Sequence, residues 1–228
     1  IPYFKHMSTA SINPLTLLPK GRPFNVSQSL KRKMASSFAA DANDFLWRVG
    51  ILNSSRPHDT NSFFSKMYVD LLMSAECSLK SLIVSLSPPN ETPEDAYLKI
   101  RSLGHNLEKL YKEVERRAVN RLKLLKPAQR ALLMDANTIG VGYRYDITIF
   151  FFLSRESRLD RAFQQGTVSR ILNYDFIMAL YNMLHELRDL ADAAQLKRFG
   201  PLTALSMKQL GKIEEREDAF FAAVGHRL

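Results

Sequence analysis

The sequence predicts an all-α fold: a bundle of about six to eight helices that opens with a long antiparallel pair. Three observations carry this expectation. Apolar residues recur at helical spacing over most of the chain after residue 26. The breaks between periodic stretches are Pro, Gly and Asn/Ser clusters, where helices stop. The one β-branched and aromatic run, Ile147 to Leu153, has no second run to pair with, so it reads as a buried helical segment rather than a strand.

Residues 7–26 contain Pro14, Pro19, Gly21 and Pro23, a density that blocks regular helix. They read as an extended arm. The preceding Ile-Pro-Tyr-Phe-Lys-His reads as an expression-tag remnant, with the native start at Met7. The division expected is therefore 1–26 as remnant and arm, then 27–228 as a single helical domain.

The first helix begins near Ser27, a good N-cap. Leu30, Met34, Phe38, Ala42, Phe45, Leu46 and Val49 fall on one face, and Gly50 with the Asn53-to-Pro57 stretch ends the helix. The second begins near Asp59 or Thr60, carries Phe64, Met67, Tyr68, Leu71, Ala75, Leu79, Leu82 and Leu86 as its stripe, and stops at Pro88-Pro89. Each spans about seven turns. Thr92-Pro93-Glu94-Asp95 opens a third, short helix with a capping hydroxyl, a first-position proline and first-turn acids, and Gly104 ends it. His105-Asn106 opens a fourth, with Leu107, Leu110, Tyr111, Val114 and Ala118 facing inward and Pro127 just past it. A short helix covers Ala128 to Asn137. Ser169 to Leu196 is helical and apolar almost all round, which predicts a central position. Gly200-Pro201 breaks the chain, and a last helix runs to about Val224 with acids at Glu214, Glu215, Glu217 and Asp218.

The chain carries a formal net charge of +9, which favours nucleic acid, nucleotides, anionic surfaces or acidic proteins as partners. Cys77 is the one cysteine, so an intramolecular disulfide and a cysteine cluster are both excluded. A single cysteine suits a reducing compartment, and the expected location is cytoplasmic. Within its apolar helical pattern Cys77 reads as a small packed hydrophobe. No apolar run approaches the roughly 20 residues of a membrane span, and no secretory signal is present. Phosphate-loop, dinucleotide-glycine, His-Glu-x-x-His and nucleophile-elbow motifs are all missing, and neither a metal nor a cofactor is expected.

The strongest charge feature lies on the fourth helix. Stepping about 100° per residue places Lys109, Lys112, Arg116 and Lys123 within about 60° of one another, opposite the apolar face. Such a stripe can track phosphates, or it can be a solvated helix face. Arg117 flanks the stripe, and Arg121 points toward the apolar side if the helix continues that far. His105 after Gly104 stands where backbone N–H groups suit an anion, or His105-Asn106 simply caps the helix. His185 and Asp189 share an i,i+4 spacing that a metal could bridge, although no second His or Cys supports it; a core or interface histidine is the alternative. Arg144 between Tyr143 and Tyr145 can stack on a base or hold a carboxylate, or it can lock a loop onto the core.

The run Tyr68-Val-Asp-Leu-Leu-Met-Ser-Ala-Glu-Cys-Ser-Leu-Lys-Ser-Leu-Ile, followed by Gly104-His105-Asn106-Leu107-Glu108-Lys109-Leu110-Tyr111, resembles the HEPN superfamily over about residues 60–118. On that resemblance the HEPN-like core covers about 27–125, with additional helices over 126–228. It implies a helical bundle that often dimerises. It also implies membership in a group whose members are RNases of toxin–antitoxin, phage-defence or CRISPR settings, or non-catalytic binding modules. The nuclease members carry Arg, then roughly four to six residues, then His. Arg101 and His105 have three residues between them and Arg216 and His226 have nine, while His185 has no Arg in the window. The nuclease motif is therefore absent. The expectation is a non-catalytic module that binds RNA, a nucleotide or a protein partner, in the prokaryotic defence or toxin–antitoxin setting that the resemblance implies, and forms a homodimer. Two alternatives stand beside it. One is a divergent metal-independent RNase using His105 or His185 with Arg144 or Arg116. The other is a structural or regulatory helical protein.

Overall fold

The computed structural model describes residues 17–19, 24–55, 61–118, 122–137, 173–200 and 202–225. In chain order these form β1 (Leu17–Pro19), α1 (Val26–Ser54), α2 (Asn61–Ser85), α3 (Pro93–Leu103), α4 (Leu107–Ala118), α5 (Pro127–Asn137), α6 (Tyr174–Phe199), β2 (Leu202–Ala204) and α7 (Met207–Gly225). The all-α expectation holds. The one departure among the described residues is a three-residue antiparallel ladder that pairs Leu17 with Ala204 and Pro19 with Leu202.

Local signals set most helix ends. Asn25 caps α1, its side chain accepting the Gln28 N–H, two residues before the serine expected to do so. Thr92 caps α3 by accepting the Asp95 N–H, with Pro93 at the first position. Gly104 closes α3 at φ 61°, a left-handed conformation that glycine adopts without a Cβ penalty.

Three long helices make the core. Ser74 Oγ donates to Ala42 O, Arg48 reaches Asp70, and Lys31 Nζ donates to Pro88 O. Residue numbers rise on α1 as they fall on α2, so the pair is antiparallel, as expected. α6 runs antiparallel to α1: Ser36 meets Gln195 and Tyr174 meets Asn53. Small residues let the backbones approach, with Ala35 and Ala42 on α1, Ser74, Ser78 and Ser81 on α2, and Ala191 and Ala194 on α6 all buried. Gln195 ties the three helices together by accepting from Ser36 Oγ and donating to Ser81 Oγ.

The centre of this core corrects one expectation. α6 is not apolar all round: Asn182, Glu186, Asp189, Ala193 and Leu196 form an exposed stripe. The central helix is α2, which packs against α1, α3, α4 and α6. Its polar residues after Asp70 are mostly serines, small enough to be covered, and Leu71, Leu79, Leu82, Ile83 and Val84 are fully buried. Each such side chain contributes about 1.5–3 kcal/mol on burial. α4 lies along α2, α5 returns antiparallel to α4, and α7 closes the end near α1 and α3 through Phe220 against Tyr97.

Candidate functional site

α4 links two polar centres to one cationic face. At its start, the Asn106 side chain accepts the Lys109 N–H and the Asn137 side chain accepts the Leu107 N–H, each at 2.9 Å. Two first-turn donors that could have met an anion are thus used by asparagines. His105 turns instead toward α2, where its Nδ1 lies 2.8 Å from one oxygen of Glu76 and 2.9 Å from the other. Lys80 Nζ donates to Glu76 at 2.6 Å. Burial pushes the Glu76 carboxyl up, but the hydrogen bonds and charges of Lys80 and His105 outweigh it, and the group lies below its ordinary value. The Glu-containing helix centre and the Gly-His-Asn turn, which carried the resemblance in sequence, are therefore joined by a charge-assisted contact across 29 positions.

At the other end, Arg117 is buried and fully engaged. Its Nε donates to Glu113 at 2.6 Å, Nη1 to Ile83 O at 2.9 Å, and Nη1 and Nη2 to the two Glu91 oxygens at 2.7 Å each. Glu113 also receives both Arg116 donors. Burial raises Glu113, yet the two arginines overcome it and hold the carboxyl at about 2. This network was not foreseen. The Glu113/Arg117 and Glu76/Lys80 spacings, each i,i+4, were the available signals.

The predicted cation stripe is shorter than expected. α4 ends at Ala118, and Lys123 is exposed in the 122–126 segment, which has no regular structure. The stripe on the helix itself is Lys109, Lys112 and Arg116, all exposed. Lys112 pairs with Glu108 at 2.7 Å and Arg116 with Glu113, whereas Lys109 has no ion-pair partner among the described residues. Between residues 99 and 130 the exposed charged side chains described are Lys99, Arg101, Lys109, Lys112, Arg116, Lys123, Lys126 and Arg130, against Glu108 as the exposed acid.

The remaining candidates divide. His185 packs edge-on against Tyr181 at 4.5 Å between ring centroids. Burial, then Arg188, lowers its pKa. The Asp189 carboxylate that could have shared a metal with it is held by Arg188 at 2.6 Å. Among the described residues no group of three potential metal ligands comes together, and no helix is long and apolar enough to cross a membrane. Cys77 is buried in α2. Arg121, Tyr143, Arg144 and Tyr145, and the Ile147–Leu153 segment, lie outside the described residues. No protein-family profile, no characterised protein and no solved structure matches this chain.

Proposed function

We propose that this chain is a non-catalytic, HEPN-like helical module that binds RNA through the cationic surface centred on α4. The observation that carries this reading is the exposed charge between residues 99 and 130, where cations greatly outnumber Glu108. α4 supplies the rigid line, Arg130 of α5 lies beside it over Tyr111 and 3.3 Å from Glu115, and Lys123 and Lys126 are exposed in the segment that joins the two helices. The internal ion pairs of Lys112 and Arg116 are exposed on the cation side, at 62% and 63%. The Lys112–Glu108 pair, exposed on both sides, exchanges readily for a phosphate contact because such pairs are weak in water, while Arg116 stays on the buried Glu113 and presents its exposed edge. The family resemblance supports the bundle as the frame. The missing nuclease spacing, together with the commitment of His105 to Glu76, favours binding over cleavage.

A homodimer belongs to the same reading. Trp47 and Ile51, one turn apart on α1, are 66% and 43% exposed and offer an apolar patch for a second copy.

The test is fluorescence anisotropy with a short single-stranded RNA over a salt series. Log affinity should fall linearly with log salt, by about 0.7 per phosphate neutralised. Reversing Lys109, Lys112 and Lys123 to Glu should reduce that slope by about two. Absence of binding at low salt removes the RNA reading and directs the search to a nucleotide or a protein partner. RNA cleavage that persists in chelator and is lost in His105→Ala or His185→Ala would replace the non-catalytic reading with that of a divergent RNase.

A further inference from the structure

A cavity of about 220 Å³ opens between α1, α3 and α7. Leu30, Met34 and Phe38 of α1, Tyr97 of α3, and Phe220 and Phe221 of α7 form its apolar walls. An apolar cavity of about 150 Å³ accepts a benzene ring, so this one holds a ring and a small head group. Its mouth faces water: Ser37 in the lining is exposed, and Phe221 is 60% exposed. Tyr97 meets Phe220 at 77° and Phe220 meets Phe221 at 76°, with 5.4 Å between the centroids of each pair. Neighbouring rings at right angles form corners rather than one flat stack, a shape that encloses a compact group.

The charge around the mouth selects the head group. Lys33 and Glu217 also line the cavity, and Lys33 donates to both Glu217 oxygens, so the pair is internally neutral. Other cations at these walls are committed as well. Lys80, 5.7 Å from the centre of the Phe38 ring, holds Glu76, and Arg216 holds Glu94. Three acids are not offset in this way: Asp41, Glu214 and Asp218 are exposed and have no ion-pair partner among the described residues. Stepping about 100° per residue from Glu217 places Phe221 at about 40°, Glu214 at about 60° and Asp218 at about 100°, so both acids border the lining edge of α7. Lys33 meets Glu217 while Leu30 packs with Phe220 and Val224, so α1 runs antiparallel to α7. Asp41, one turn past Ser37 on the same edge of α1, therefore comes toward the Glu214 end. Arg101, one turn past Tyr97, lies toward the opposite end, because the Glu94–Arg216 and Tyr97–Phe220 contacts set α3 parallel to α7.

We propose that this cavity binds an organic ammonium ion, its apolar body between the rings and its cationic head at the mouth beside Glu214, Asp218 and Asp41. Aromatic faces attract such a head as well as the carboxylates do, and the attraction grows as water leaves. Partial burial, and next the Asp44 charge, raises the Asp41 carboxyl above its ordinary value, an effect that an ammonium head offsets. The site is separate from the RNA reading, because none of its walls belongs to α4.

The test uses benzyltrimethylammonium chloride, with neutral benzyl alcohol and sodium benzoate beside it at matched ionic strength and without RNA. Binding is followed by nuclear magnetic resonance on the full chain with labelled methionine methyl groups. Met34 lines the cavity, whereas Met183 is buried in the α6 core. The ammonium probe should shift Met34 and leave Met183 in place. It should bind at least about threefold more tightly than benzyl alcohol, the factor that one partly exposed cation–π contact supplies before the acids add to it. Benzoate should bind more weakly than either. Phe221→Ala, at an exposed position, should weaken the ammonium and the alcohol alike. Glu214→Gln/Asp218→Asn, also exposed, should reduce the preference for the ammonium without changing the alcohol. The proposal is overturned by a Met34 resonance that the ammonium probe leaves in place, or by benzoate binding as tightly as the ammonium. Unaltered binding by Phe221→Ala, or an unreduced preference in the Glu214/Asp218 double variant, overturns it equally.

Discussion

Replacing Arg117 by methionine keeps the apolar stem of the side chain but removes the guanidinium that four acceptors share. In the folded protein that group meets Glu113, both oxygens of Glu91, and the Ile83 carbonyl. The side chains of Arg117 and Glu113 are 2% and 6% exposed, and that of Glu91 is 16% exposed. Water therefore cannot take the place of the lost donors without opening the α2–α4 contact. Glu113 keeps the more exposed Arg116, and Lys99 stands 3.9 Å away. Glu91 keeps no ion-pair partner among the described residues. Breaking a buried pair on one side costs about 3–5 kcal/mol, mostly as uncompensated charge. The methionine refills the stem only, so the space left by the guanidinium adds to this cost. Urea denaturation should show this loss as a lower midpoint with an unchanged slope. Adding Glu91→Gln to Arg117→Met should recover part of the loss, because the orphaned charge goes with it. A cost below about 1 kcal/mol for Arg117→Met, the level of an ordinary substitution, would refute the reasoning.

Acid should destabilise the protein through the same network. The folded pKa of Glu113 is about 2 against an ordinary 4.5, so its contribution is complete above the ordinary value and is lost as pH falls toward 2. Urea midpoints measured from pH 6 downward should decline over that window, and more shallowly in Glu113→Gln; equal declines would contradict the assignment. His105→Ala should cost about 1.5 kcal/mol, the low end for a hydrogen bond to a charged group, since half of the imidazole is exposed. A His105→Ala variant with unaltered stability would remove the Glu76–His105 contact from the account. Thr92→Ala should cost about 1 kcal/mol by leaving the Asp95 N–H uncapped, measurable by thermal unfolding, whereas Lys112→Ala in an exposed pair should leave the midpoint where it is.

The sequence by itself determined the helical class and most helix limits. Thr92-Pro93 and Gly104 mark the ends of α3 because capping hydroxyls, proline and a positive-φ glycine act on the turn that contains them. Apolar spacing likewise identified the inward faces of α2 and α4, since Leu71, Leu79, Leu82, Leu107, Leu110 and Val114 are all buried. The centre of the bundle was not legible in this way. Periodicity gives a helix a face but not a rank among its neighbours, so α6 read as central. Docking gave that place to α2, whose serines can be covered. The polar network depended still more on tertiary structure. Lys31, Glu76, Glu113 and Arg117 are charged residues that any local rule assigns to water. They are buried because partners arrive from elsewhere in the fold: Pro88 for Lys31, His105 for Glu76, and Glu91 and Ile83 for Arg117, which in turn meets Glu113. The cation stripe was half legible. Its spacing on α4 is local, but Lys123 lies beyond the helix described over Leu107–Ala118, in the 122–126 segment that has no regular structure. Local chemistry fixed the elements; long-range pairing decided which charges the interior could hold.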